Sequence, residues 1–368
     1  VFGDVLHTTE DIRAADPLGA DALLAAVPAM NAEGDAAALT VALRALVPDP
    51  DRAAEWSVGG ALAATRDLGI LLGSLKRHGV QPLAAVPEAY PVLELLGRRT
   101  DMVPRDTVHH YTIWNPVGPR RRSYTGDPRE ALLQDAVRTL HPGLVAALDD
   151  CGRIARLEPY DPGFPAALDR VARRIRAMAD AIDLTVARVS PEYVAVTLRP
   201  YFDEVEVGGR AYLGPDAARL PLWPVDLTVW QCDRPHPAHD ASLDEAVPYA
   251  PPAWRAFHAR HRGGVSAVSK LSAAVSWEGA DRLPPSLTAS AEALGRVLRL
   301  LKTLRARPLG TAPTAYGDEA RRHEEGGGGA PVALLRSVLD LTRENETMVR
   351  RATPRRRPAG APVGPSAA

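Results

Sequence analysis

From Leu287 to Leu304 apolar side chains return every third or fourth residue, at Leu287, Ala291, Leu294, Val297, Leu298, Leu301 and Leu304. Only an α-helix gathers that spacing onto one face, and a helix so striped must bury the stripe against a neighbour. The same period runs through Phe164–Val189, where Ala167, Leu168, Val171, Ile175, Met178 and Ile182 share a face. It recurs in Asp21–Met30, Asp35–Leu46 and Arg129–Leu148. DPDRAAEW opens a further helix expected to continue to Gly79, with Lys76, Arg77 and His78 in its last turn, as a helix C-terminus favours. Only DEVEVGGRAYLG alternates like a strand, as a small hairpin turning at Gly208-Gly209. The pattern therefore specifies an all-α fold.

Breaks in the pattern locate its irregular parts. Pro308 lacks a backbone donor and crowds the preceding turn, so the helix through Leu304 is expected to end or kink there. NPVGPRRRSYTGDP, residues 115–128, holds three prolines and two glycines and reads as a long shaped loop. SPEYVAV begins a helix with a capping Ser190 and a proline behind it. PPAWRAFHARHR and PVALLRSVLDLTRENETMVRR supply the remaining helices. The organisation expected is an N-terminal helical subdomain over 1–100, a main helical domain over 101–351 with the pocket, and a Pro/Arg/Ala-rich disordered tail over 352–368.

Charge narrows the partners. Net charge is -1, from 44 basic and 45 acidic residues, so no global field recruits nucleic acid or an acidic membrane. No apolar run reaches the roughly 20 residues of a membrane-spanning helix, and VFGDVLHTTED lacks the layout of a signal peptide. Cys151 and Cys232 show no CxxC spacing and suit free thiols in a reducing cytoplasm.

Several residues could carry chemistry. His258 and His261, three apart on a helix, lack a third ligand and read as a solvated face. His236 and His239 lie among prolines in a stretch that meets no metal-site spacing, which favours a polar surface loop. Arg120, Arg121 and Arg122 could grip a carboxylate with a guanidinium fork, with Trp114 and Tyr124 supplying aromatic surface beside them. Gly326, Gly327, Gly328 and Gly329 precede a helix and read equally as an anion-accepting entrance or a linker. No nucleotide-binding, HExxH or GxSxG motif is present.

Five collinear stretches add to this reading: RDLGILLGSLKRHG (66–79), IWNPVGPRRRSYTG (113–126), SPEYVAVTLRPYFDEVEVGGRAYLGPDAARLPLWPVDLTVW (190–230), YAPPAWRAF (249–257) and the 291–341 region. Together they resemble the monodechloroaminopyrrolnitrin synthase family, relatives of indoleamine 2,3-dioxygenase among the haem-dependent aromatic oxygenases. The resemblance implies an all-α fold with haem between long helices. It also implies a tryptophan- or tyrosine-derived amino acid over the distal haem face, oxygen activated on ferrous iron, and a place in specialised metabolism such as antibiotic biosynthesis. By the same resemblance Trp114, one of Arg120–Arg122, Ser123 and Tyr124 face the substrate or a haem propionate. LGPDAA (213–218), with Gly214, forms a second wall, Gly326–Gly329 close over the ligand, and Tyr316 lies near that site.

Two departures stand out. The family's glycine loop carries a hydroxyl residue, and here all four positions are glycine. The proximal iron ligand of relatives is a histidine eight residues before the matched tyrosine, and counting back from Tyr316 gives Pro308. Proline offers no side-chain lone pair, and the neighbouring Arg307 stays protonated. Three readings follow. In the first, haem binds through a substitute ligand such as His323. In the second, the pocket has lost haem and performs cofactor-independent chemistry on the aromatic amino acid, such as condensation, rearrangement or acid–base catalysis, with His110, Tyr124 and Tyr316 as proton-transfer groups. In the third, the chain is a non-catalytic partner of a pathway enzyme.

Overall fold

A computed structural model describes residues 4–215, 222–279, 283–315 and 332–352. Its helices are α1 (Asp4–Ala14), α2 (Asp21–Glu33), α3 (Ala36–Leu46), α4 (Pro50–Ala54), α5 (Val58–Arg77), α6 (Pro82–Ala85), α7 (Ala89–Thr100) and α8 (Pro128–Arg156). They continue with α9 (Gly163–Val186), α10 (Trp223–Asp226), α11 (Pro237–Ala246), α12 (Pro252–His261), α13 (Ala267–Glu278), α14 (Pro285–Ala315) and α15 (Val332–Ala352). Wider π-helical turns occupy His109–Ile113, Tyr193–Leu198 and Leu227–Gln231. The hairpin forms as expected: β1 (Val205–Val207) pairs antiparallel with β2 (Arg210–Tyr212). Gly208 and Gly209 both take positive φ, which a tight two-residue hairpin turn requires.

Two helix boundaries differ from expectation. The segment from Pro50 is two helices, because Asp49 caps α4 and Ser57 then starts α5 afresh by accepting the Gly60 amide at 3.1 Å. More consequentially, α14 runs on through Pro308 to Ala315. The proline removes one intrahelical bond, to the Leu304 carbonyl, and the helix continues past it.

The striped helices bury their stripes. Leu287, Ala291, Leu294, Val297, Leu298, Leu301 and Leu304 of α14 are buried with Ala167, Leu168, Val171, Ile175 and Met178 of α9 in the larger core, to which α8 and α13 also contribute. A second core joins α2, α3, α5 and α7, and it draws in Tyr111, Tyr124, Tyr193, Tyr201 and Phe202 from beyond residue 100. The centre of that core is α5. It is the single helix among the described residues long and apolar enough to cross a membrane, and 83% of its apolar window is buried inside the protein. The candidate site lies where α5, the π turn at His109–Ile113 and the loop before α8 come together.

Candidate functional site

The loop 115–127 has little regular structure of its own and is held by buried polar anchors. Asn115 donates to the carbonyls of Tyr111 and Arg122, both at 2.8 Å, and accepts the Arg122 amide. Glu130, in the first turn of α8, gathers Tyr111 Oη, Ser123 Oγ, the amides of Tyr124 and Thr125, and Thr125 Oγ1, all within 2.8 Å. One buried carboxylate thus satisfies five donors and sets the loop's path.

The same loop turns its arginines toward the protein. Arg122 is buried and grips Asp67 through Nε at 2.8 Å and Asp21 through Nη2 at 2.6 Å. Arg66 takes the other side of Asp67 at 2.8 and 3.0 Å and donates to the carbonyls of Ile12, Ala15 and Trp114. Arg120 pairs with Asp21 and Arg121 with Asp135. The expectation that one of Arg120–Arg122 faces a ligand is therefore corrected: each is engaged by this chain's own carboxylates. Ser123 is likewise committed to Glu130.

A second buried arginine behaves differently. Arg105 is fully enclosed, and its Nη1 lies 2.7 Å from Asp106 Oδ1 and 3.4 Å from the Gly69 carbonyl. Its Nε and Nη2 have no hydrogen-bond partner among the described residues. Asp106 Oδ1 touches that guanidinium without an aligned hydrogen bond, and Tyr124 Oη, also fully buried, has no partner among the described residues. Buried polar atoms left open cost about 1–3 kcal/mol each, so a group of them calls for an explanation.

Glycines let these side chains pack closely. A Cβ on Gly69 would meet Asp106 Cγ at 2.2 Å, and one on Gly73 would meet the Tyr201 carbonyl at 2.5 Å and Tyr124 Oη at 2.7 Å. A Cβ on Gly214 would lie 2.9 Å from Arg105 Nη2, so Gly214 packs directly against this guanidinium. Burial pushes the Asp106 carboxyl up despite the opposing pull of Arg105. Burial, reinforced by the Asp106 charge, holds the Tyr124 phenol well above its ordinary range, so it remains a donor.

The π turn adds a ring cluster beside the cradle. His109 packs against Trp114, His141 and Trp254 at ring separations of 5.4, 5.8 and 5.7 Å, and His110 against Trp114 at 4.7 Å. His109 Nδ1, His110 Nε2, His141 Nε2 and Trp254 Nε1 are all buried without partners. Burial, then the charge of Arg66, lowers His110 to about 3, and burial with Arg13 lowers His141 to about 4. His110 Nδ1 accepts the Thr107 amide at 3.1 Å, so its one proton sits on Nε2 and faces the interior. His110 is thus held neutral, with its one N–H as a donor.

Tyr316, His323 and Gly326–Gly329 lie outside the described residues. Trp114 packs with His109 and His110, while Tyr124 lies with Tyr111, Tyr201 and Phe202 and within reach of the Arg105 and Asp106 charges. The two histidine pairs set aside as surface features are partly interior: His258 is buried against Trp223, and His239 is buried on α11 against Trp230. Among the described residues no group of three or more His, Cys, Asp or Glu side chains could hold a metal ion.

Sequence reasoning missed Arg105 and Asp106. The signal was present in MVPRDTVHH, a charged pair set between apolar residues and followed by two histidines.

Long helices packed around two cores, with a buried cluster of polar side chains between them, define an all-α protein. The chain belongs to the family described as monodechloroaminopyrrolnitrin synthase PrnB, which matches residues 32–357. Members of that family are biosynthetic enzymes acting on aromatic compounds.

Proposed function

We propose that this chain binds a tryptophan-derived or related aromatic amino acid in the Arg105 cradle and performs acid–base chemistry on it without haem ligated in the family's manner. The observation carrying the reading is the buried Arg105 guanidinium with Nε and Nη2 unpartnered, a two-donor edge that matches a carboxylate. Tyr124, Tyr111 and Trp114 supply ring surface for the aromatic portion. His110 Nε2–H and Tyr124 Oη–H are donors held ready for an oxygen that gains negative charge. Asp106 is the group suited to exchange a proton, because its burial brings its titration toward neutrality.

The described residues speak against a histidine-ligated haem in the family's manner. Position 308 is a proline inside α14. His109 packs on His141 and Trp254, and His110 on Trp114, at 4.7–5.8 Å, so these rings are held by contacts within this chain. A cytoplasmic setting accords with free thiols at Cys151 and Cys232.

The test combines spectroscopy with calorimetry. Haemin titration is expected to add no Soret band that shifts on reduction, while L-tryptophan or L-tyrosine binds. Arg105→Met should weaken that binding at least about tenfold, the loss of a charge-assisted pair, with Arg105→Lys as the control if the first variant folds poorly. A reducible Soret band would overturn the haem-free part. Unchanged amino-acid affinity in both variants would overturn the site.

A further inference from the structure

We propose that the groove between α8 and α9 is a binding site for organic phosphate monoesters, separate from the interior cradle. Arg170, Arg173, Arg174, Ala177 and Met178 line one wall, and Thr139, Leu140 and Gly143 the other, around a volume of about 350 Å³. The spacing on α9 places its three arginines on one helix face. A single buried carboxylate, Asp150, lies behind them. It accepts from Arg170 Nε at 2.8 Å and Arg174 Nε at 3.5 Å, and is shared with Arg153 at 3.3 Å.

Both groove arginines are thereby oriented through Nε, and their Nη groups carry no hydrogen bond among the described residues. Arg173 makes no ion pair or hydrogen bond among them either. Three guanidinium groups against one carboxylate, itself shared with a fourth arginine, leave a surplus of positive charge. A phosphate dianion supplies both the charge and three acceptor oxygens for such a set.

Apart from Thr139, whose hydroxyl donates to the Asp135 carbonyl, the remaining lining is apolar, with Leu140 and Met178 buried and Ala177 exposed. Gly143 keeps the α8 wall low, since a Cβ there would meet nothing within 4 Å. An inorganic anion would leave that apolar surface uncovered, whereas an ester with an aryl or alkyl group covers it.

Phenyl phosphate and inorganic phosphate, titrated into the full chain by calorimetry at low ionic strength, distinguish the possibilities. Phenyl phosphate is expected to bind one to one and more tightly than inorganic phosphate, with affinity falling as salt rises. Arg173→Ala should weaken it about fivefold, the share of one charge-assisted contact. Gly143→Leu should abolish binding while the circular dichroism spectrum and thermal midpoint stay unchanged, because the new side chain has open space and a helical position. No binding by the wild type, or binding unaltered in both variants, overturns the site. Equal affinity for the two phosphates overturns the ester and reduces the groove to a patch of charge.

Discussion

Two buried arginine–aspartate sites stand close together on α5 and the loop after α7, and they are finished to different degrees. Around Asp67 every principal donor has an acceptor: Arg66 and Arg122 share the carboxylate, and their remaining nitrogens reach Asp21 and main-chain carbonyls. Around Asp106 the guanidinium of Arg105 keeps two nitrogens open, and Tyr124 Oη beside it is open too. Burial is equally deep at both. A completed network fixes a loop, and the incomplete one beside it is where the proposed ligand would supply the missing partners.

That contrast can be broken by experiment. Asp67→Ala strands Arg66 and Arg122 together in the interior and should cost about 3–5 kcal/mol of unfolding free energy, as loss of one partner of a buried ion pair does. A urea midpoint unchanged by this substitution would make the closed site no more structural than the open one.

Acidification comes next in size. His109, His110 and His141 are neutral in the fold because burial depresses them, His110 to about 3 and His141 to about 4. The unfolded chain binds protons at these positions near pH 6.5 and the folded chain does not, so stability is lost as pH falls below 6.5. At pH 5.5 each contributes about 1.4 kcal/mol of destabilisation, roughly 4 kcal/mol for the three. Thermal melts at pH 7.5 and 5.5 measure it, and a flat profile would mean that the ring cluster accepts protons while folded.

The smallest effect is the sharpest discriminator. Replacing the whole pair, Arg105→Met with Asp106→Leu, should change folding by less than about 1 kcal/mol, since substitution of a buried ion pair by apolar side chains is often neutral. A cost as large as that of Asp67→Ala would place Arg105 with the scaffold.

Helix type and core were legible in the chain because burial and period coincide. The α9 and α14 stripes lie in the larger core, and the Gly208-Gly209 turn forms where the alternation placed it. The α14 boundary was misjudged at Pro308, since packing on α9 and α15 carries the helix past a residue that disfavours it. Site reading fared less evenly. Trp114 and Tyr124 drew attention as aromatic surface and are both buried, whereas three consecutive arginines drew attention as ligand binders although Asp21, Asp67 and Asp135 engage them. Arg105 was hidden because an adjacent Arg–Asp pair looks like a solvated turn, and only the glycines of α5 and Gly214 packed against it reveal its depth.

The π turn at His109–Ile113 has a consequence for how such a pocket could diversify. A π turn holds about one residue more than the α turn it replaces. Its consecutive side chains here serve different neighbours: His109 meets His141 and Trp254, His110 meets the Thr107 amide and Trp114, and Tyr111 meets Glu130. Point substitution in this turn alters one wall at a time. Gain or loss of a single residue would rotate all three walls together by about 100°. Chain length at this one spot, more than residue identity, then sets which groups a ligand meets.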